Sequence, residues 1–250
     1  MKKEAEITGE RWDHSAEGYS DIIRQEFREV GDVWKDLLTE NAPAGGKKAL
    51  DIGTGPGFFA MVLAMNGFDA AGVDCSPRMI DRARENARSR RLTVDFRVMD
   101  SHELSFSDDT FDYVVARNAT WLLYDPEKAY REWLRVLKPG GRLLVLDANW
   151  TYKDDPEMTR KLDEAYRRYE EQQGRPFNSY KGSRELNEAF NALIAFEHIR
   201  RPEWDRDTLP KLGYRNIVIT PRMNERIYPR WKQELYDAVD EFLVTAEKPE

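Results

Sequence analysis

The segment ALDIGTGPG (49–57) constrains the fold more than any other part of the chain. A short apolar run ends there in three closely spaced glycines, Gly53, Gly55 and Gly57, and an apolar stretch of helical length follows. Glycine lets the backbone turn sharply and lets a ligand lie against the main chain without a Cβ in the way. The order of strand, glycine loop and helix predicts the first βα unit of a parallel sheet, with a ligand site at the loop.

The same alternation continues along the chain. Further apolar, strand-like segments occur at 69–74, 92–98, 111–116 and 141–148. Ser76 and Pro77 supply the N-cap and the first-turn proline of the helix after the second strand. Five strands separated by helices predict a doubly wound α/β fold with parallel strands and right-handed crossovers.

Two segments do not follow this alternation. Residues 1–46 have apolar side chains at spacings of three and four and are expected to form an N-terminal helical cap. Residues 150–201 are rich in charged and aromatic side chains and are expected to form a helical insertion, or lid, over the site. The core would then consist of residues 47–149 and 202–250.

Acidic residues follow the second and third strands. Asp74 lies about 20 residues beyond the glycines, where a carboxylate can accept hydrogen bonds from two ribose hydroxyls. Asp100 can accept one from an adenine amine, with Ser101 and His102 offering the next contacts. An Asp in a strand-to-helix turn can instead cap the next helix. Together with the glycines, the two acids predict a nucleoside site at the carboxyl edge of the sheet.

Two other functions remain open from these residues. The segment Gly55 to Ala60 also fits the dinucleotide fingerprint G-x-G-x-x-A, so an NAD(P)-dependent oxidoreductase is an alternative. Tyr124 and Lys128 have the Tyr-x-x-x-Lys spacing of the short-chain type, although Pro126 starts a helix between them. A third possibility is a cofactor-binding module without catalytic activity.

Composition excludes several classes of protein. The net charge of -7 argues against a protein that follows nucleic-acid phosphates. Cys75 is the single cysteine, so neither a disulfide framework nor a thiolate metal cluster is expected, and no residues have metal-ligand spacing. With no apolar segment of leader or membrane-span length, we expect a cytoplasmic protein that acts without a metal or a membrane.

Five segments in order resemble the class I S-adenosylmethionine-dependent methyltransferase family, small-molecule type. The segments are ALDIGTGPG, GVDCSPRMI, VMDSHELSF, FDYVVARNATW and WLRVLKPGGRLLVLD. The resemblance implies a Rossmann-like, seven-stranded sheet in the order 3-2-1-4-5-7-6 with only the last strand antiparallel. It also implies S-adenosyl-L-methionine as cofactor, S-adenosyl-L-homocysteine as product and methyl transfer to a small-molecule acceptor that the sequence does not identify.

The resemblance also implies residue roles. The glycines would face the methionine part of the cofactor, Asp74 the ribose, Asp100 the adenine amine, and Arg117 and Asn118 the sulfonium. The full cofactor-binding set is Trp12, Tyr19, Asp51, Gly53, Thr54, Gly55, Gly57, Asp74, Cys75, Met79, Asp100, Ser101, His102, Arg117 and Asn118. His14, Asn118 and Tyr19 are the candidates for a catalytic role, and the acceptor is expected near Asn118, Trp121 and Asn149-Trp150, under the insertion.

Overall fold

A single seven-stranded sheet forms the centre of the protein in a computed structural model that describes residues 3–151, 153–174 and 180–250. The strands are β1 (Lys48–Ile52), β2 (Asp69–Asp74), β3 (Asp95–Val98), β4 (Phe111–Arg117), β5 (Leu137–Asp147), β6 (Arg215–Thr220) and β7 (Phe242–Glu247). Their order is β3-β2-β1-β4-β5-β7-β6. Strand β7 alone runs antiparallel to its neighbours β5 and β6. The predicted fold class, strand order and single antiparallel strand are confirmed.

Helices cover both faces of the sheet. Two of them come before its first strand in the chain, and the others lie between its strands. They are α1 (Glu4–Asp13), α2 (Ala16–Glu40), α3 (Phe58–Met65), α4 (Pro77–Ser89), α5 (Pro126–Val136), α6 (Pro156–Gln173), α7 (Arg184–Asn191), α8 (Glu203–Leu212), α9 (Asn224–Ile227) and α10 (Arg230–Leu235). Helix α5 starts at Pro126 with Asp125 as its N-cap, and Ser76 caps α4. In the described part of the chain, no helix combines the length and apolar character needed to cross a membrane.

The core has one apolar layer on each face of the sheet. On one face Trp34 and Leu37 of α2 pack with Phe59 of α3. On the other, Trp133 of α5 packs with Leu209 of α8. Central strands covered on both faces need apolar side chains in both directions, which explains their continuous apolar runs.

Two strand boundaries differ from the prediction. Strand β3 was expected at 92–98 but begins at Asp95, because it lies at the edge of the sheet and pairs with β2 only over those last four residues. Strand β5 was expected from residue 141 but begins at Leu137, which pairs with Phe111 of β4. An irregularity in that register accommodates the Pro139-Gly140-Gly141 segment within the strand.

Candidate active site

The carboxyl ends of β1, β2, β3 and β4 surround one cavity. Every residue of the predicted cofactor-binding set lines this cavity except Gly57. Residues that we did not predict also line it, among them Ala5 and Thr8 of α1, Ala119 and Tyr124. The site therefore lies at the edge of the sheet where a doubly wound fold binds ligands.

The glycine loop is held tightly between the sheet and the neighbouring loop. Gly53 has φ +64° and Gly55 has φ +51°, conformations that favour glycine. A Cβ on Gly53 would lie 2.5 Å from the Cβ of Ala119. Buried Asp51 accepts hydrogen bonds through Oδ2 from the Thr54 hydroxyl at 2.6 Å and from the Ala60 amide at 2.9 Å. Asp51 and Thr54 thus brace the loop, and burial raises the pKa of Asp51 to about 7.

Gly57 has a packing role and does not line the cavity, although we expected it to face the ligand. It is the N-cap of α3 with φ +89°. A Cβ there would lie 2.9 Å from Cζ of Phe96 and 3.0 Å from Cβ of Ala83. The third glycine of the loop therefore allows close packing of α3 against α4 and β3 behind the cavity.

Asp74 bridges the glycine loop and the turn that follows β2. Its Oδ2 accepts from the Gly55 amide at 2.9 Å, and its Oδ1 accepts from the Ser76 amide at 2.9 Å. Burial raises the pKa of Asp74 to about 6. Because a carboxylate offers roughly four acceptor positions, about two remain for a ligand in the cavity. Asp74 thus makes local turn contacts and also lines the cavity.

Asp100, His102 and Tyr124 form a hydrogen-bonded group that also lines the cavity. Asp100 Oδ1 accepts from the His102 amide at 2.9 Å and lies 2.7 Å from His102 Nδ1, and Oδ2 accepts from the Tyr124 hydroxyl at 2.7 Å. The His102 and Tyr124 rings stack with centroids 3.6 Å apart. Burial alone would raise the pKa of Asp100, but these hydrogen bonds outweigh it and lower the pKa to about 2. Asp100 is therefore ionised at neutral pH.

Helix α1 closes one side of the cavity. A Cβ on Gly9 would lie 2.4 Å from the carbonyl oxygen of Cys75, so α1 touches the turn after β2. Asp13 Oδ1 accepts from the Ser76 hydroxyl at 2.6 Å and from the Arg78 amide at 3.0 Å. We did not predict Gly9 or Asp13, although a glycine inside a helical pattern is a recognised sign of close packing.

Arg117 is the last residue of β4 and Asn118 follows it, and Arg117 belongs both to the cavity lining and to a buried ion cluster. Arg117 donates to Glu26, which also accepts from Lys232 at 2.9 Å. Asn118 has φ +50°, and its buried Oδ1 has no hydrogen-bond partner among the described residues. The same is true of Trp12 Nε1. Buried polar atoms of the cavity-lining residues Trp12 and Asn118 thus lack partners among the described residues, and a ligand group of matching chemistry would satisfy them.

Two of the three predicted catalytic candidates are poorly suited to accept a proton. Burial raises the pKa of Tyr19 to about 12, so its hydroxyl stays protonated at neutral pH. His14 does not line the cavity, and its ring lies edge-on to Tyr180 with centroids 6.1 Å apart. The structure brings Tyr19 and Asn118 into the site and leaves His14 outside it.

A second cavity adjoins the first. The two share Trp12, Tyr19 and Asn118, and the walls of the second come from α6 and from the segments after β4 and β5. Six aromatic residues line it: Trp12, Tyr19, Trp121, Trp150, Tyr166 and Tyr236. Within the described ranges, no group of three or more His, Cys, Asp or Glu side chains is placed to hold a metal ion.

The matching family model and two curated relatives all belong to one class of protein, the methyltransferases. Residues 50–145 match the family model described as a methyltransferase domain. Demethylmenaquinone methyltransferase of Thermus thermophilus is 41% identical over 114 residues, which are 45% of this chain and 50% of that protein. The 2-methyl-6-phytyl-1,4-hydroquinone methyltransferase of Synechocystis is 34% identical over 169 residues, 66% of this chain and 52% of that protein. The chain thus spans about half the length of these two curated relatives.

A solved structure agrees in fold. Phosphoethanolamine N-methyltransferase 2 of Haemonchus contortus, in complex with S-adenosyl-L-methionine, matches all of this chain and 61% of its own, with a TM-score of 0.69 and 21% identity. These matches confirm the resemblance to the class I S-adenosylmethionine-dependent methyltransferases, and this chain carries a methyltransferase domain of that class.

Proposed function

We propose that this chain binds S-adenosyl-L-methionine in the first cavity and transfers its methyl group to a small molecule in the second. The observation that carries the proposal is the convergence of Gly53, Asp74, Asp100 and Asn118 on one cavity that shares three lining residues with a second. The names of the relatives support the class of reaction. We assign the cofactor to the first cavity because Asp74 and Asp100 line it.

The residues of the first cavity fit this cofactor. Asp74 has acceptor positions left for two ribose hydroxyls, and the acidic surroundings suit a sulfonium cation. Gly53 and Gly55 allow close approach to the main chain. Trp12 Nε1, which has no partner among the described residues, is a donor that matches a carboxylate oxygen. When bound, the cofactor supplies an electrophilic methyl group.

The chain's own contribution to catalysis is positioning. Displacement at a sulfonium releases a neutral leaving group, so the enzyme mainly aligns the acceptor and excludes water. Trp12, Tyr19 and Asn118 line both cavities, where they would orient the acceptor towards the methyl group. Because Tyr19 remains protonated at neutral pH, it would act as a hydrogen-bonding group and not as a base.

The oxidoreductase alternative is disfavoured by Tyr124. That chemistry needs a tyrosine with a lowered pKa, one helical turn from a lysine. Tyr124 precedes α5, so it and Lys128 do not share a helix. Burial, and then the neighbouring Asp100, raise the pKa of Tyr124 instead of lowering it.

The proposal also assigns a role to each segment of the chain. Residues 1–46 would act as a helical cap, 47–149 and 202–250 as the cofactor-binding core, and 150–201 as a helical cover over the acceptor. Helix α1 contacts the cofactor side, and α6 lines the second cavity, which supports this division. We further propose a cytoplasmic enzyme with no nucleic-acid partner, as its net charge of -7 suggests.

Calorimetric titration of the purified protein tests the proposed function. We expect S-adenosyl-L-methionine and S-adenosyl-L-homocysteine to bind and NADH not to bind. Asp74→Ala should weaken binding by about 1–3 kcal/mol, because it removes a charged acceptor of two hydroxyl hydrogen bonds. Asp69→Ala is the matched control, since Asp69 is exposed at the opposite end of the same strand. An NADH isotherm with none for the sulfonium compound would overturn the proposal.

A further inference from the structure

One buried carboxylate holds two of the aromatic residues that line the second cavity. Asp147, fully buried at the end of β5, accepts hydrogen bonds from the Trp121 amide at 2.9 Å and from Trp150 Nε1 at 3.1 Å. The Trp150 ring packs edge-on against Tyr236, with centroids 4.8 Å apart. Two tryptophans on different loops are thus anchored to one residue. A wall held in this way is prepared for a ligand before the ligand arrives.

The described lining of the second cavity carries negative charge and no positive charge. Asp163 of α6 lines it, and no Lys, Arg or His does so among the described residues. Arg117 and Lys232 both donate to Glu26, and buried Arg201 donates to Asp205, so these buried cations already have acidic partners. An anionic acceptor would lose its hydration there without a cation to replace it. Aromatic faces and a carboxylate instead favour a cation.

The junction of the two cavities adds a hydrogen-bonding requirement. Asn118 lies on both linings, and its buried Oδ1 lacks a partner among the described residues. A buried carbonyl oxygen needs a donor to offset the loss of water. A group that enters from the second cavity to satisfy it must carry a hydrogen, as an amine N–H does.

On the basis of the proposed function, we propose that the acceptor is an organic amine, cationic at neutral pH, on an apolar body without phosphate or carboxylate. The ammonium loses one proton to solvent at the side of Asp163, which is exposed. The nitrogen lone pair then forms an N–C bond to the methyl carbon as the C–S bond breaks. The bond's electron pair stays on sulfur, so the products are a methylammonium and a neutral thioether.

Three ligands of similar size and different charge test the assignment. 2-Phenylethylamine, 2-phenylethanol and 3-phenylpropionate are titrated calorimetrically into the full chain saturated with S-adenosyl-L-homocysteine. We expect the amine to bind about tenfold more tightly than the alcohol, and the carboxylate to bind most weakly. With labelled S-adenosyl-L-methionine, the amine should accept methyl groups in preference to 4-ethylphenol.

A variant isolates the contribution of Asp163. Asp163→Asn should weaken amine binding about 3- to 10-fold and leave alcohol binding unchanged, a modest effect because the carboxylate is exposed. Glu171→Gln, an exposed acid elsewhere on α6, should change neither. The inference is overturned if the amine binds no better than the alcohol, if the phenol is methylated preferentially, or if the two variants behave alike. Binding of S-adenosyl-L-homocysteine, measured in the same calorimeter cell, shows whether the proposed function still holds when the amine assignment fails.

Discussion

Glu26→Ala is expected to lower the free energy of unfolding by about 3–5 kcal/mol, because it removes the buried carboxylate to which two buried cations donate. Glu26 is 2% exposed and accepts from Arg117 and Lys232, which join α2, the end of β4 and α10. Burial alone would raise the pKa of Glu26, but the two cations outweigh it and keep the pKa below its usual value. Chemical denaturation at neutral pH measures the loss.

Glu29→Ala is the control for this prediction. Glu29 lies on the same helix and is exposed, so its removal should change stability by about 0.5 kcal/mol or less. The pKa of Glu26 is depressed in the folded state, so its stabilising contribution is present above the unfolded pKa and is lost as pH falls through the folded value. The difference between the two variants should therefore shrink in acid. Equal effects at neutral pH would contradict a compensated buried cluster.

Gly53→Ala is expected to cost about 2–4 kcal/mol, shared between stability and cofactor affinity. The residue has φ +64°, and the added Cβ would lie 2.5 Å from the Cβ of Ala119. Ala119 is part of the cavity wall, so the loop can relieve the contact only by moving within the site. Denaturation and calorimetric titration of S-adenosyl-L-homocysteine measure the two parts.

Gly45→Ala separates backbone strain from the close contact. Gly45 has φ +73°, and an added Cβ there would meet no atom within 4 Å. It should therefore show only the conformational cost, about 1–2 kcal/mol of stability, with cofactor affinity unchanged. If Gly53→Ala bound the ligand as tightly as the unaltered protein, the loop would not have the role we assign to it.

The parts of the site that were predictable from the sequence depend on local patterns. Strand ends are visible in the sequence, and the carboxyl ends of parallel strands must share one edge, so Gly53, Asp74 and Asp100 could be placed together before the fold was known. Their cavity lining agrees with that expectation. Their contacts with a cofactor remain a prediction.

The parts that were not predictable depend on how distant segments pack. The contacts of Gly57 with Phe96 and Ala83 join three elements, and the contact of Gly9 with Cys75 joins α1 to the turn after β2. The spacing of residues along the sequence does not reveal such contacts, and it does not show that His14 lies outside the cavity. The periodicity of the sequence predicted helices in the insertion. It could not predict that Asp147 accepts hydrogen bonds from Trp121 and Trp150, because these contacts exist only in the folded chain.

A crystal structure with S-adenosyl-L-homocysteine tests the central claim most directly. We expect the ribose hydroxyls within hydrogen-bonding distance of the Asp74 carboxylate and the adenine beside Asp100. The thioether sulfur should lie by Asn118 and face the aromatic cavity. A ligand bound elsewhere, or one whose sulfur points away from the second cavity, would contradict it.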